Sequence, residues 1–329
     1  MLGTTAGGLF WMFRYLERSE NTARLIEAGL RIALTGTADA EDEWESVVTT
    51  AGSRDEYLRR HDRFGAAEVV EFLLRETTNA SSVRSVVEAA RNSARLVRTA
   101  LTREVWEATN ECWMSLAQAL ARPVHDRDLP QVLGLIRQES AYVRGALHGT
   151  MMRNDIYDFA RLGTFVERAD NTARILDVKY YVLLPSALHV GSQLDNAQWE
   201  TILRSLSAQR AYRWQHPGDI SPLGIAEFVI LNARMPRSLA FCYTKIEQNL
   251  GYLADEYGDR RPCHDVAAAL RRRVTGRSWP RPCPQRPPRP SACPCGTAST
   301  ASSTTSPSSP AHAASARLPG STARSRRAV

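Results

Sequence analysis

"FRYLERSENTARLIEA", residues 13–28, returns as "GTFVERADNTARILDV" at residues 163–178, so "ER(S/A)(E/D)NTAR" recurs at an offset of 150. The repeat pairs Glu17 with Glu167, Arg18 with Arg168, Glu20 with Asp170, Asn21 with Asn171 and Arg24 with Arg174. "WESVVTT" from Trp44 is answered by "WETILRS" from Trp199 at an offset of 155, and "VEFLL" from Val70 by "AEFVI" from Ala226 at 156. Ser82 and Ser238 keep that last offset. An ordered series of matches, drifting by only a few residues, marks a tandem duplication.

Around these matches, Leu, Ala, Phe and Val recur three and four apart with Arg or Glu between them, from Gly8 to about Arg273. The spacing predicts helices near 8–34, 53–63, 66–75, 80–101, 103–121, 127–147, 152–183, 198–214, 222–232, 236–257 and 262–273. Several starts are signed. "SRDE" at 53–56 has capping-box spacing, Ser221 precedes Pro222 as cap before a first-turn proline, and Pro236 reads the same way for the next helix. The fold class is all-α, an internally duplicated helical bundle. The first repeat unit covers 1–150, and the second, 151–277, reads as incomplete. A tail follows at 278–329.

Composition divides the chain at the same place. The last 52 residues hold seven Arg and no Lys, Asp or Glu; removing them takes the net charge from +7 to zero. The basic balance therefore belongs to the tail and argues neither for nucleic acid nor for a membrane as partner of the folded part. Ten of the 17 Pro also lie there, with almost no large apolar side chains, and such a segment is expected to be disordered. It reads either as a natural low-complexity tail or as the product of a reading-frame change in a GC-rich gene. The first unit runs some 60 residues of helical pattern beyond Ser82 and the second only about 40 beyond Ser238, which favours the frame change. The second unit would then lack its last helix or helices and expose an apolar face.

No run approaches a membrane span, and no leader pattern opens the chain, so a cytoplasmic protein is expected. The six Cys form no close pair before the tail, where "CPC" at 293–295 has no ligand partner. The seven His are scattered outside both motifs and no Glu-x-x-His occurs, so neither a metal nor any other cofactor is expected. A Gly-rich phosphate loop with its Lys, a nucleophile elbow and HExxH are absent. Cys112 and Cys242 stand in apolar helical sequence without a matched His.

The repeated stretch carries what chemistry there is. On a helix, Glu17, Asn21 and Arg24 fall at i, i+4 and i+7, with Glu20 one turn before Arg24, beside an apolar stripe of Phe13, Leu16 and Ala23. The second copy offers Glu167, Asn171 and Arg174, with Asp170 before Arg174. Two readings stand. The Glu residues pair with Arg and brace neighbouring helices, or the ten motif positions Glu17, Arg18, Glu20, Asn21, Arg24, Glu167, Arg168, Asp170, Asn171 and Arg174 line a site for an anionic or peptide ligand. Paired carboxylates in a dry bundle would also suit acid/base catalysis, Glu17 and Glu167 taking the two roles. A polar break, "RGALHGTMMRNDIYDF" at 144–159, adds His148 and Arg153 as secondary candidates, with His148 read mainly as a helix-terminal residue favoured by the dipole.

"YLERSENTAR" and "FVERADNTAR", with "EFLL" at 71–74, "GTMMR" at 149–153, "LGTFVERADNTARILDVKYY" at 162–181 and "EFVILNARMPRSLAFC" at 227–242, resemble the bacterial alpha-E domain family. The resemblance runs from about Leu9 to Arg273. It implies an all-helical domain whose Glu-Arg motif falls on Glu17, Arg18, Asn21 and Arg24 and on Glu167, Arg168, Asn171 and Arg174. It also implies association with circularly permuted ATP-grasp proteins and transglutaminase-like cysteine peptidases, in peptide ligation or modification. The Pro-rich tail departs from the family pattern.

Overall fold

A computed structural model describes residues 1–35, 40–181, 193–218 and 220–276. The tail and its expected disorder lie outside the described residues. The described residues cluster as one compact body. Thirteen α-helices occur among the described residues: α1 (Gly3–Thr35), α2 (Ala40–Thr50), α3 (Arg54–Leu58), α4 (Ala66–Leu74), α5 (Val83–Leu96), α6 (Arg103–Ala119), α7 (Leu129–Thr150), α8 (Asp155–Tyr181), α9 (Gln193–Ser205), α10 (Gln209–Gln215), α11 (Pro222–Leu231), α12 (Leu239–Tyr257) and α13 (Pro262–Thr275). No described helix is long and apolar enough to cross a membrane.

The duplication is legible in the packing. α1 lies on α5 as α8 lies on α12, α5 meets α6 as α12 meets α13, and α1 touches α9 as α8 touches α2. The two repeats are joined along α1 and α8. At that crossing Gly163 faces the α1 backbone so closely that a Cβ would stand 2.1 Å from the Phe10 carbonyl oxygen. Only glycine permits this approach. On its other sides α1 buries Leu9, Met12, Phe13, Leu16, Ala23 and Ile26. Each of the large ones contributes about 1.5–3 kcal/mol by leaving water.

An aromatic cluster repeats as well. Tyr57 stacks on His61 at 4.4 Å and meets Phe72 edge-on at 5.0 Å; Tyr212 stacks on His216 at 4.5 Å and meets Phe228 edge-on at 5.5 Å. These pairs stand at offsets of 155 and 156, the same as the sequence matches on either side.

Helix starts follow the caps in part. Ser82, Ser221 and Ser238 each accept a backbone N–H in the first turn, which fixes α5, α11 and α12. Pro236 is therefore not a first-turn residue, because Ser238 supplies the cap two residues later. Ser53 makes no side-chain cap, and Glu56 pairs with Arg59 and Arg60 instead. α3 stops at Leu58, well short of the expected 63. The single helix expected at 198–214 is two, broken where Ser207 takes a left-handed φ of 53°. Its counterpart by the same offset, Gly52, has φ 74°.

α7 packs on α1 and α6 and has no counterpart among the described residues of the second half. On α8, Ala173 and Asp177 are exposed where the first copy buries Ala23 and half-buries Glu27.

Candidate functional site

The two motifs face each other across the α1–α8 crossing. Arg168 donates from Nε and Nη2 to the two carboxylate oxygens of Glu17, at 2.9 and 2.8 Å. Arg18 does the same to Glu167, at 2.6 and 3.1 Å. Each Glu-Arg dipeptide thus gives its carboxylate to the guanidinium of the other copy, in the planar two-point geometry that Arg alone provides.

Beyond this exchange the two sides differ. Around Glu17, Arg237 from the turn before α12 inserts a guanidinium that donates to Asn21 Oδ1 at 2.8 Å and Glu20 Oε1 at 2.7 Å, and lies 3.0 Å from Glu17 Oε1. Arg24 reaches Glu20 from one turn along the helix, at 2.6 Å. Arg144 of α7 stands 3.5 Å from Glu17 and 2.5 Å from Glu20 Oε2, the latter an ion pair by distance but off the line of a hydrogen bond. The Arg237 backbone is held in turn by Thr172 Oγ1, which donates to its carbonyl at 2.8 Å. Two carboxylates here meet four guanidinium groups, and Glu17 is 1 % exposed.

Around Glu167 the only further cation among the described residues is Arg14, at 2.8 Å. Asp170 keeps Arg174 at 3.0 Å, but with its side chain 42 % exposed, where Glu20 is buried. Ser81 occupies the position that Arg237 fills on the other side, and Arg18 touches its hydroxyl at 3.5 Å. A cavity of about 240 Å³ results, lined by Arg18, Asn21, Ser81, Asp170, Asn171 and Arg174 among others.

Burial opposes the charge of Glu17 most strongly, yet Arg168, Arg237 and Arg144 together hold its carboxyl well below the usual range. Glu20 is lowered likewise, with burial and the Glu17 charge opposing and Arg237, Arg144 and Arg24 prevailing. Arg237, wholly enclosed, is brought down to about 10 by burial and remains cationic at neutral pH. A carboxylate so held is a poor proton donor or acceptor near pH 7. Buried ionic networks of this kind specify a geometry more than they stabilise it.

His148 and Arg153 stand apart from the motifs. Arg153 donates to the carbonyls of His148 and Met151, closing the end of α7, and lies over the Tyr157 ring at 4.0 Å. His148 Nδ1 meets Tyr157 Oη at 2.7 Å. His148 lies in the last turn of α7, the helix-terminal place expected of it, while burial, then Arg161 and Arg153, bring the imidazole down to about 4 and disfavour its charged form. Cys112 and Cys242 are buried, and burial pushes both thiols up to about 12, away from nucleophilic use. No group of three or more His, Cys, Asp or Glu side chains suited to a metal occurs among the described residues.

Sequence reasoning named all ten motif residues but gave Arg237 and Arg144 no role. One signal was available. At the offset of 156, "SS" at 81–82 aligns with "RS" at 237–238, a change from a small side chain to an arginine at the edge of a matched cap.

Comparison with known proteins fits this geometry. The Alpha-E family, described as "a predicted alpha-helical domain with a conserved ER motif", matches residues 1–281. Uncharacterized proteins of Mycobacterium bovis and of two strains of Mycobacterium tuberculosis are each 26 % identical over 279 residues, covering 77 % of this chain and 30 % of the relative. The chain therefore spans less than a third of the length of these curated relatives. No solved structure matches it.

Proposed function

The chain belongs to the Alpha-E family, and from that premise we propose that it is an accessory helical module in an ATP-grasp-linked peptide ligation or modification system, presenting a fixed α1–α8 platform to a catalytic partner. One observation carries the reading. Both Glu-Arg dipeptides are spent on each other, so the motif's chemistry goes into holding two repeats in register. The lengths of the relatives support it too, since a unit that makes up 30 % of a longer polypeptide is suited to act beside other domains. The partner class, an ATP-grasp or transglutaminase-like protein, rests on the family resemblance. ATP chemistry would reside in that partner.

Catalysis by Glu17 and Glu167 is the weaker reading, because Glu17 is held ionised beneath Arg168, Arg237 and Arg144. Affinity purification of the tagged chain from its own host tests the leading one. Stoichiometric recovery of an ATP-grasp or transglutaminase-like protein is expected. Recovery of neither after chemical cross-linking would remove the reading.

A further inference from the structure

We propose that the cavity beside the second motif is a seat for a guanidinium group, taken from an arginine side chain or a small arginine-like ligand. The template is internal. On the first side the same seat is filled by Arg237, which is 6 % exposed and bound to Glu17, Glu20 and Asn21. Under the repeat offsets those acceptors become Glu167, Asp170 and Asn171, all three of which line the cavity. Thr172, which fixes the Arg237 backbone, becomes Thr22, and Ser207, which accepts from Arg24, becomes Gly52 beside Arg174; these too line it. The acceptors and the flanking Thr and turn positions of the two seats thus correspond, while Arg144 and Arg14 are particular to one seat each. What differs is the occupant position, where Ser81 replaces Arg237 and ends three heavy-atom bonds short of a guanidinium carbon.

Charge and hydrogen bonding agree. Leaving Arg237 aside, the first seat holds two carboxylates and Arg168, Arg24 and Arg144; the second holds two carboxylates with Arg18, Arg174 and Arg14. The first admits a fourth guanidinium against that balance because its acceptors are fixed and dry, and the second offers the same balance with a more accessible acid in Asp170. Asn21 contributes to both seats. Its Oδ1 accepts from Arg237, while its Nδ2 has no partner although the residue is only 3 % exposed. A buried donor left in this state is costly, and it lies in a residue that lines the cavity.

Lysine does not substitute. An ammonium is a compact point charge, whereas the Arg237 seat uses a planar fork to reach three acceptors at once. The proposal is independent of the partner class given above, since it concerns a cavity within this chain.

Calorimetric titration of the full chain with L-arginine amide, L-lysine amide and an acetylated arginine-containing peptide tests it. Arginine ligands are expected to bind at least tenfold more tightly than lysine amide, a difference of about 1.4 kcal/mol. A peptide that outbinds arginine amide identifies a protein side chain as the source, and equal affinities identify the free small molecule. Ser81→Arg should fill the seat from within, abolish binding and raise the melting temperature by about 2–4 °C. Should that variant not fold, Asp170→Asn, at a half-exposed position, should weaken arginine binding about tenfold with the fold intact. Equal or absent binding of arginine and lysine ligands, or arginine binding unchanged in a folded Ser81→Arg or Asp170→Asn variant, overturns the proposal.

Discussion

Glu17 and Glu167 occupy equivalent positions in the two repeats and make the same two-point pair with the other repeat's Arg, yet their surroundings have diverged. Glu17 lies beneath Arg237 and Arg144, supplied by the α12 cap and by α7. Glu167 has Arg14 instead, faces Ser81, and borders a cavity. The shared pair is what the duplicated fold needs at its crossing. The unshared arginines show where one copy has become filled and the other has stayed open.

The largest effect should come from neutralising the closed side. Glu17→Gln leaves Arg168 and Arg237 enclosed without their carboxylate and should cost about 3–5 kcal/mol. Glu167→Gln should cost about 1–3 kcal/mol, because Arg14 and Arg18 are 17 % and 26 % exposed and recover water. Urea unfolding midpoints at pH 7 measure both. Equal losses would mean that the extra arginines around Glu17 do not distinguish the two sides.

Acid should sharpen the same contrast. A carboxyl whose folded pKa lies below its unfolded value of 4.5 adds stability that is complete above that value and is lost as pH falls through the folded one. Unfolding free energies measured from pH 5 down to 2 should therefore fall less steeply in Glu17→Gln than in the parent chain. Parallel curves would contradict the depressed carboxyl.

A smaller effect separates the turns that flank the two seats. Gly52 and Ser207 share a left-handed backbone, and Gly52→Ser should cost about 1–2 kcal/mol, since Arg174 is a half-exposed neighbour whose guanidinium can bond the new hydroxyl as Arg24 bonds Ser207. A loss several times larger would show that the first-half turn tolerates no side chain, and that the correspondence stops there.

What the sequence disclosed follows from the range of the interactions. Period 3.6 and local caps placed most helices, and the repeated "ER" stretch placed the ten motif residues. α2 was missed because "AEDEWESVVTT" is short, rich in Val and Thr, and signed only by acids in its first turn. The break between α9 and α10 depends on one left-handed residue, Ser207, which no local composition announces. Arg237 lies 217 residues from Glu20 and Arg144 lies 127 from Glu17, so their roles exist only once α8, α12 and α7 have packed on α1. That the motifs face each other is likewise a fact of packing.

Reciprocal clasping is tested most directly by two double-mutant cycles, Glu17→Gln with Arg168→Met and Glu167→Gln with Arg18→Met, read as unfolding free energies in urea. If each dipeptide holds the other, both cycles should show coupling of about 1–3 kcal/mol, the double variants being less damaged than the sum of their single changes. Single-mutant effects that add within about 0.5 kcal/mol in both cycles would mean that the two motifs do not act on each other.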